Sequence, residues 1–160
     1  AAWLQQRAQA RPGTRIALLM PIVLQFPVAM FGAIRAGLTI VNVNPLYTWH
    51  ELEHQVNDAG AEIIVVLENF AHVVEQAMPK TSIKTVIVTS VGAMLGAGKG
   101  TIVDFVVRRV QKKVPAWKIP GALRFERVIA EGRRLTLQPV TVGPEDIAFL
   151  QYSGGTTGVS

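Results

Sequence analysis

A chain of 160 residues is long enough for one domain-sized core, and its complete lack of cysteine removes disulfides and thiolate metal sites and fits a reducing compartment. Ten of its sixteen basic residues fall between Lys99 and Arg134 with only three acids, so that segment carries +7 and the remainder −2. Charge confined to one segment argues against a nucleic-acid interface built over the whole surface, and no nucleic-acid partner is expected.

In chain order, residues 1–10 read as the end of a helix, with Trp3, Leu4 and Ala8 on one face and Pro12-Gly13 ending it. The nineteen uncharged residues Ile16 to Ile34 are borderline in length for a membrane span. Pro21, Gln25, Pro27 and Gly32 interrupt them, and a strand at 16–20 followed by a helix opening at Pro27 is the better reading. Gly37 suits that helix's C-terminal cap. Residues 39–43 form the next strand. Thr48 and Glu51 have capping-box spacing and open a helix to Ala59, closed by Gly60. Strand 62–67, helix 70–78 and strand 83–89 follow. Such alternation with short turns predicts an α/β fold, a mostly parallel sheet with helices on both faces. Gly92 to Gly100 reads as a small-residue loop. Residues 101–114 read as an amphipathic helix with Val103, Val106, Val107, Val110 and Val114 on one face. Residues 115–144, broken by Pro115, Pro120 and Pro139, resolve into no clear elements. The apolar run Ile147-Ala148-Phe149-Leu150 is expected to be a buried strand.

That strand would feed Tyr152-Ser153-Gly154-Gly155-Thr156-Thr157-Gly158-Val159-Ser160. Glycines let backbone N–H groups approach a ligand, successive N–H groups make an anion-binding concavity, and hydroxyls add donors. Composition alone fits a flexible linker equally well. The preceding strand and the spaced glycines favour a phosphate loop, and the absence of Gly-x-x-x-x-Gly-Lys excludes a Walker A loop. A helical or marginal, exposed Ile147–Leu150, with the glycine-threonine turn hanging away from any cleft, would remove the physical ground for this reading.

Three other stretches compete for attention. His50-Glu51-Leu52-Glu53-His54 matches the zinc-protease pattern, but it lies in the first turn of a short helix where Glu51 already serves the Thr48 cap. A solvated helix face is the better reading. Gly96-Ala97-Gly98-Lys99-Gly100-Thr101 resembles a second phosphate loop, yet it fails the Walker spacing and reads as a flexible connection. Arg108, Arg109, Lys112 and Lys113 beside the valine stripe fit either an ordinary surface helix or one lying on an anionic membrane surface. The chain is expected to be cytoplasmic, with the inner face of the membrane as its peripheral alternative.

The order of residues in the terminal loop resembles the phosphate loop of the acyl-adenylate-forming enzymes, which include acyl-CoA synthetases, firefly luciferase and peptide-synthetase adenylation domains. The likeness extends over nearly the whole chain. Residues 27–37, Val43-Asn44-Pro45-Leu46-Tyr47-Thr48, the stretch from Glu51 through Asp58, and Asn69-Phe70-Ala71-His72 are similar to the N-terminal domain of bacterial long-chain fatty-acid–CoA ligases. Ile22, Trp49 and His50 depart from the pattern that is usual there. In that family a lysine follows the loop; here the chain stops at Ser160. It is therefore read as an incomplete N-terminal AMP-binding domain, residues 1–160, truncated inside its phosphate loop and without a C-terminal domain.

The resemblance implies a reaction in two steps. A fatty acid carboxylate attacks the α-phosphate of ATP to give acyl-AMP and pyrophosphate, and CoA then displaces AMP. By position, Ser153, Thr156 and Thr157 would offer hydroxyls to the β- and γ-phosphates, while Gly154, Gly155 and Gly158 would offer N–H groups and room. Mg²⁺ would share the phosphate charge. The adenine, metal and acyl-tunnel residues would lie beyond Ser160, leaving no catalytic residue in the fragment. A homo-oligomer is left open. The alternatives are an acyl or aryl ligase for another acid, and a nucleotide- or membrane-binding module without catalysis.

Overall fold

The computed structural model describes residues 1–152, and the loop residues Ser153 to Ser160 lie outside the described residues. Among the described residues six strands, all paired in parallel, form one sheet in the order β5-β4-β3-β1-β2-β6. They are β1 Arg15–Leu19, β2 Thr39–Val43, β3 Ala61–Leu67, β4 Thr85–Thr89, β5 Leu123–Arg124 and β6 Phe149–Leu150. The helices are α1 Ala2–Gln6, α2 Gln25–Arg35, α3 Trp49–Ala59, α4 Ala71–Ala77, α5 Ala97–Phe105 and α6 Phe125–Gly132.

Strand periodicity divides the core into two layers. Ala17, Leu19, Val41, Val43, Ile64, Val66, Val86 and Val88 face Leu52 and Val56 of α3 and Val74 and Ala77 of α4. Ile16, Leu18, Ile40, Ile63, Val65 and Ile87 face the opposite way, against Trp3 and Leu4 of α1, Ala29 and Ala33 of α2, and Phe125 and Val128 of α6. Helices therefore cover both faces, as the alternating pattern predicts. The uncharged run resolves into β1 and α2, and no helix among the described residues is long and apolar enough to cross a membrane.

Several expectations are corrected. α2 begins at Gln25, and Pro27 is its third residue. Proline is tolerated there because the first-turn N–H groups have no intrahelical acceptor. Residues 97–100 are not a flexible loop but the first turn of α5, in which Gly100 N–H donates to Gly96 C=O at 2.8 Å. The continuation Val106–Val110 widens to a π-helical turn. Val110, expected on the buried stripe, is exposed along with Ile102 and Phe105. The unassigned stretch holds β5 and α6. Ile147–Leu150, expected to be buried, is an edge strand of two paired residues with Ile147 and Phe149 exposed. Among the described residues it is the last strand of the sheet and is flanked by β2 alone.

Two glycines explain how α5 docks. A Cβ on Gly92 would stand 2.2 Å from the carbonyl oxygen of Gly100, and one on Gly100 would stand 2.3 Å from that of Gly92. The β4 exit and the α5 first turn thus touch backbone to backbone. Gly92→Ala is expected to cost about 2 kcal/mol by overpacking, read as a lower denaturation midpoint.

Candidate functional site at the carboxyl edge of the sheet

Because every strand runs the same way, the segments following them meet along one edge. Open α/β sheets bind ligands there. Glu68 follows β3, Ser90 follows β4, Arg124 ends β5, and Gln151 and Tyr152 follow β6.

Glu68 is the charge at the centre of this edge, its side chain only 3% exposed. Arg108 grips it with two bonds, Nε to Oε1 and Nη2 to Oε2, each 2.8 Å. This fork also holds the Arg108 guanidinium above its ordinary pKa, chiefly through the hydrogen bonds to Glu68. Arg124 adds a second cation 3.5 Å from Glu68 Oε2. Asp104 lies 3.9 Å from Arg108 and accepts from Ser90 Oγ at 2.6 Å and from Gly92 N–H at 2.8 Å. Gln25, wholly buried, donates to the Ser90 carbonyl at 3.0 Å, while its own Oε1 and the Thr89 hydroxyl find no partner among the described residues. Of the four basic residues singled out in the sequence, Arg108 is therefore turned onto the sheet. Arg109, Lys112 and Lys113 remain exposed. The Glu68–Arg108 pair was missed because it spans 40 residues of chain, where no local pattern signals it. Asp104 stands one helical turn before Arg108, a spacing that could have flagged it, although its bonds to Ser90 and Gly92 span 14 and 12 residues.

At the other end of the edge the chain approaches residues 153–160. β6 pairs Phe149 with Ile40 and Leu150 with Val41. Side chains supplement this short pairing. Thr39 Oγ1 donates to the Ile147 carbonyl at 2.8 Å, and Asn42 Nδ2 donates to Gln151 Oε1 at 3.0 Å. Gln55 Nε2 of α3 donates to the Asn42 carbonyl at 2.9 Å. The Tyr152 hydroxyl donates to Asp58 Oδ2, also on α3. Burial, then the bond to Asp58, pushes the phenol pKa up to about 12. A raised pKa means that the folded chain holds the proton more tightly. This contribution is complete below about pH 10, the ordinary value, and is lost as pH rises through about 12. Phenolate absorbance is expected to show Tyr152→Phe removing the higher-pH titration.

The remaining candidates resolve plainly. Thr48 N–H donates to Glu51 Oε2 at 2.7 Å and Glu51 N–H to Thr48 Oγ1 at 3.4 Å, closing the capping box. The Thr48 N–H, and then the Thr48 hydroxyl that also donates to Oε2 at 2.8 Å, hold the Glu51 carboxyl below its ordinary range. His50 and His54 lie on the exposed side of α3, and no group of three or more acidic or histidine side chains among the described residues can hold a metal.

Parallel strands with helices on both faces define an α/β domain, the class of fold that takes ligands at the carboxyl edge of its sheet. The chain belongs to the AMP-binding enzyme family, whose model matches residues 1–160. It is 50% identical over 160 residues to a long-chain-fatty-acid–CoA ligase of Escherichia coli O6:H1, covering all of this chain and 28% of that protein. The chain thus spans little more than a quarter of that relative's length. The fold matches the crystal structure of a long-chain-fatty-acid-CoA ligase from Archaeoglobus fulgidus with a TM-score of 0.69 at 22% identity, over 98% of this chain and 26% of that one. It matches an anthranilate CoA ligase in complex with anthranoyl-AMP with a TM-score of 0.73 at 22% identity, over 98% and 25%.

Proposed function

We propose that the whole protein carrying this chain is an ATP-dependent long-chain fatty-acid–CoA ligase. The observation that carries the reading is 50% identity, across every residue of the chain, to proteins of that name. The edge position of β6 lends less physical support than a buried strand would, so the family match bears most of the weight. In this reading Ser153, Thr156 and Thr157 donate hydroxyls to the triphosphate, and Gly154, Gly155 and Gly158 donate backbone N–H groups. Tyr152, Val159 and Ser160 complete the loop. Fixed donors of this kind offset the repulsion between carboxylate and triphosphate and hold the two in line. Mg²⁺ bound through the phosphates would share their charge.

Incubating the full-length protein with ATP, Mg²⁺, CoA and a long-chain acid should yield acyl-CoA, AMP and pyrophosphate. A preference for an aryl or medium-chain acid would overturn the substrate assignment. Residues 1–160 alone are expected to be inert, and acyl-CoA formation by them would refute that.

The exposed Ile102, Phe105 and Val110 beside Arg109, Lys112 and Lys113 support peripheral contact with an anionic membrane. Pelleting of the full-length protein with anionic vesicles should fall when those three cations become glutamate; unchanged pelleting would remove the idea.

A further inference from the structure

We propose that Asp58 is a positioning residue for the ATP site: through the Tyr152 phenol it fixes where the chain leaves β6 for residues 153–160. The inference rests on the assignment of those residues as the phosphate loop.

The strand cannot fix that point by itself. It contributes two paired residues, and Ile147, Ala148 and Phe149 are all exposed. A donor loop that shifts by an ångström loses much of its value, because hydrogen-bond geometry weakens steeply with distance and angle. What the strand lacks, α3 supplies. This helix is anchored by the buried Leu52, Val56 and Ala59, closed at its start by the Thr48–Glu51 box and at its end by Gly60 at φ 64°. It reaches the loop entrance twice. Gln55 holds the Asn42 carbonyl while Asn42 holds Gln151, and Asp58 accepts from Tyr152. The Tyr152 ring also packs against the core layer that α3 covers, while its hydroxyl reaches Asp58 on that helix. The raised phenol pKa agrees with a proton committed to Asp58. Asp58 lies 94 residues from Tyr152, on the exposed side of α3, whose caps are Thr48 and Gly60.

The test uses the full-length protein and four variants: Tyr152→Phe, Asp58→Ala, Asp58→Asn and the Tyr152→Phe/Asp58→Ala double. ATP Kd is measured by calorimetry, and KM and kcat by ATP–pyrophosphate exchange. Tyr152→Phe and Asp58→Ala should each raise Kd and KM for ATP about five- to tenfold, with kcat held within about twofold. The double should be no worse than the worse single, since both changes break one bond. Asp58→Asn, which still accepts the phenol proton, should stay within about twofold of wild type. Unchanged ATP Kd in the singles, additive losses in the double, or a fall in thermal midpoint that tracks the lost affinity would each overturn the proposal. Wild-type protein that binds no ATP would overturn the phosphate-loop assignment together with it. Wild-type binding with insensitive variants would overturn the tether alone.

Discussion

Ile64→Ala is expected to destabilise the domain by about 4 kcal/mol. Ile64 is wholly buried in β3, with Ala17 of β1 on one side and Val86 of β4 on the other. Hydrogen-bonded strands flank it on both sides and α3 and α4 cover its face. The vacated space cannot close without breaking strand pairing, which places the cost near the upper part of the range for such truncations. Ile64→Val, which removes one methyl group, should cost about 1 kcal/mol. Hydrogen exchange of the β3 amides in the full-length protein reads both values, because these core amides open only with the whole unit. An alanine effect near the valine effect would mean that the sheet does collapse around the gap.

Arg108→Ala is expected to cost about 3 kcal/mol, because it strands a buried carboxylate. The cost arises at Glu68, whose side chain is 3% exposed, and not at the arginine, which is 38% exposed. Arg124 at 3.5 Å remains as a partial counter-ion, so the loss falls at the lower end for broken buried pairs. Arg108→Lys should recover only part of it, since an ammonium cannot reproduce the two-pronged fork. Adding Glu68→Gln to Arg108→Ala should restore stability relative to Arg108→Ala alone, because the uncompensated charge is then gone. A denaturation midpoint lower in the double variant than in Arg108→Ala would contradict the assignment of Glu68 as the destabilising charge.

Much of the fold was legible in the sequence because the central strands are buried on both faces. Ile63-Ile64-Val65-Val66 and Val86-Ile87-Val88 are unbroken β-branched runs, and only a covered parallel strand sustains such a pattern. The Thr48 box and Gly60 marked both ends of α3 correctly. α6 was missed although its apolar residues Phe125, Val128 and Ile129 have helical spacing. Flanking prolines and charges hid it, and β5 is only two residues long. Glycine at 96, 98 and 100 argued for a loop, whereas close backbone packing against Gly92 requires one of them within a helix. Ile147–Leu150 looked buried because composition reports apolarity and not position in the sheet. In the site, the glycine and hydroxyl signal was local and visible. Glu68 with Arg108, and Asp58 with Tyr152, are paired by topology alone.

The strand order has a consequence for biosynthesis. β1 to β4 occupy the middle of the sheet and are complete by Thr89, while β5 and β6 are added outside them. A ribosome that delivers about 5–20 residues per second needs on the order of 3–12 s to go from Thr89 to Phe149. During that interval the nascent four-stranded unit presents β2 as a bare margin, its outward amides and carbonyls open to any passing strand. Of the described strands β6 is thus added last, and a chaperone that shields this margin would protect the nascent sheet during the seconds before β6 emerges.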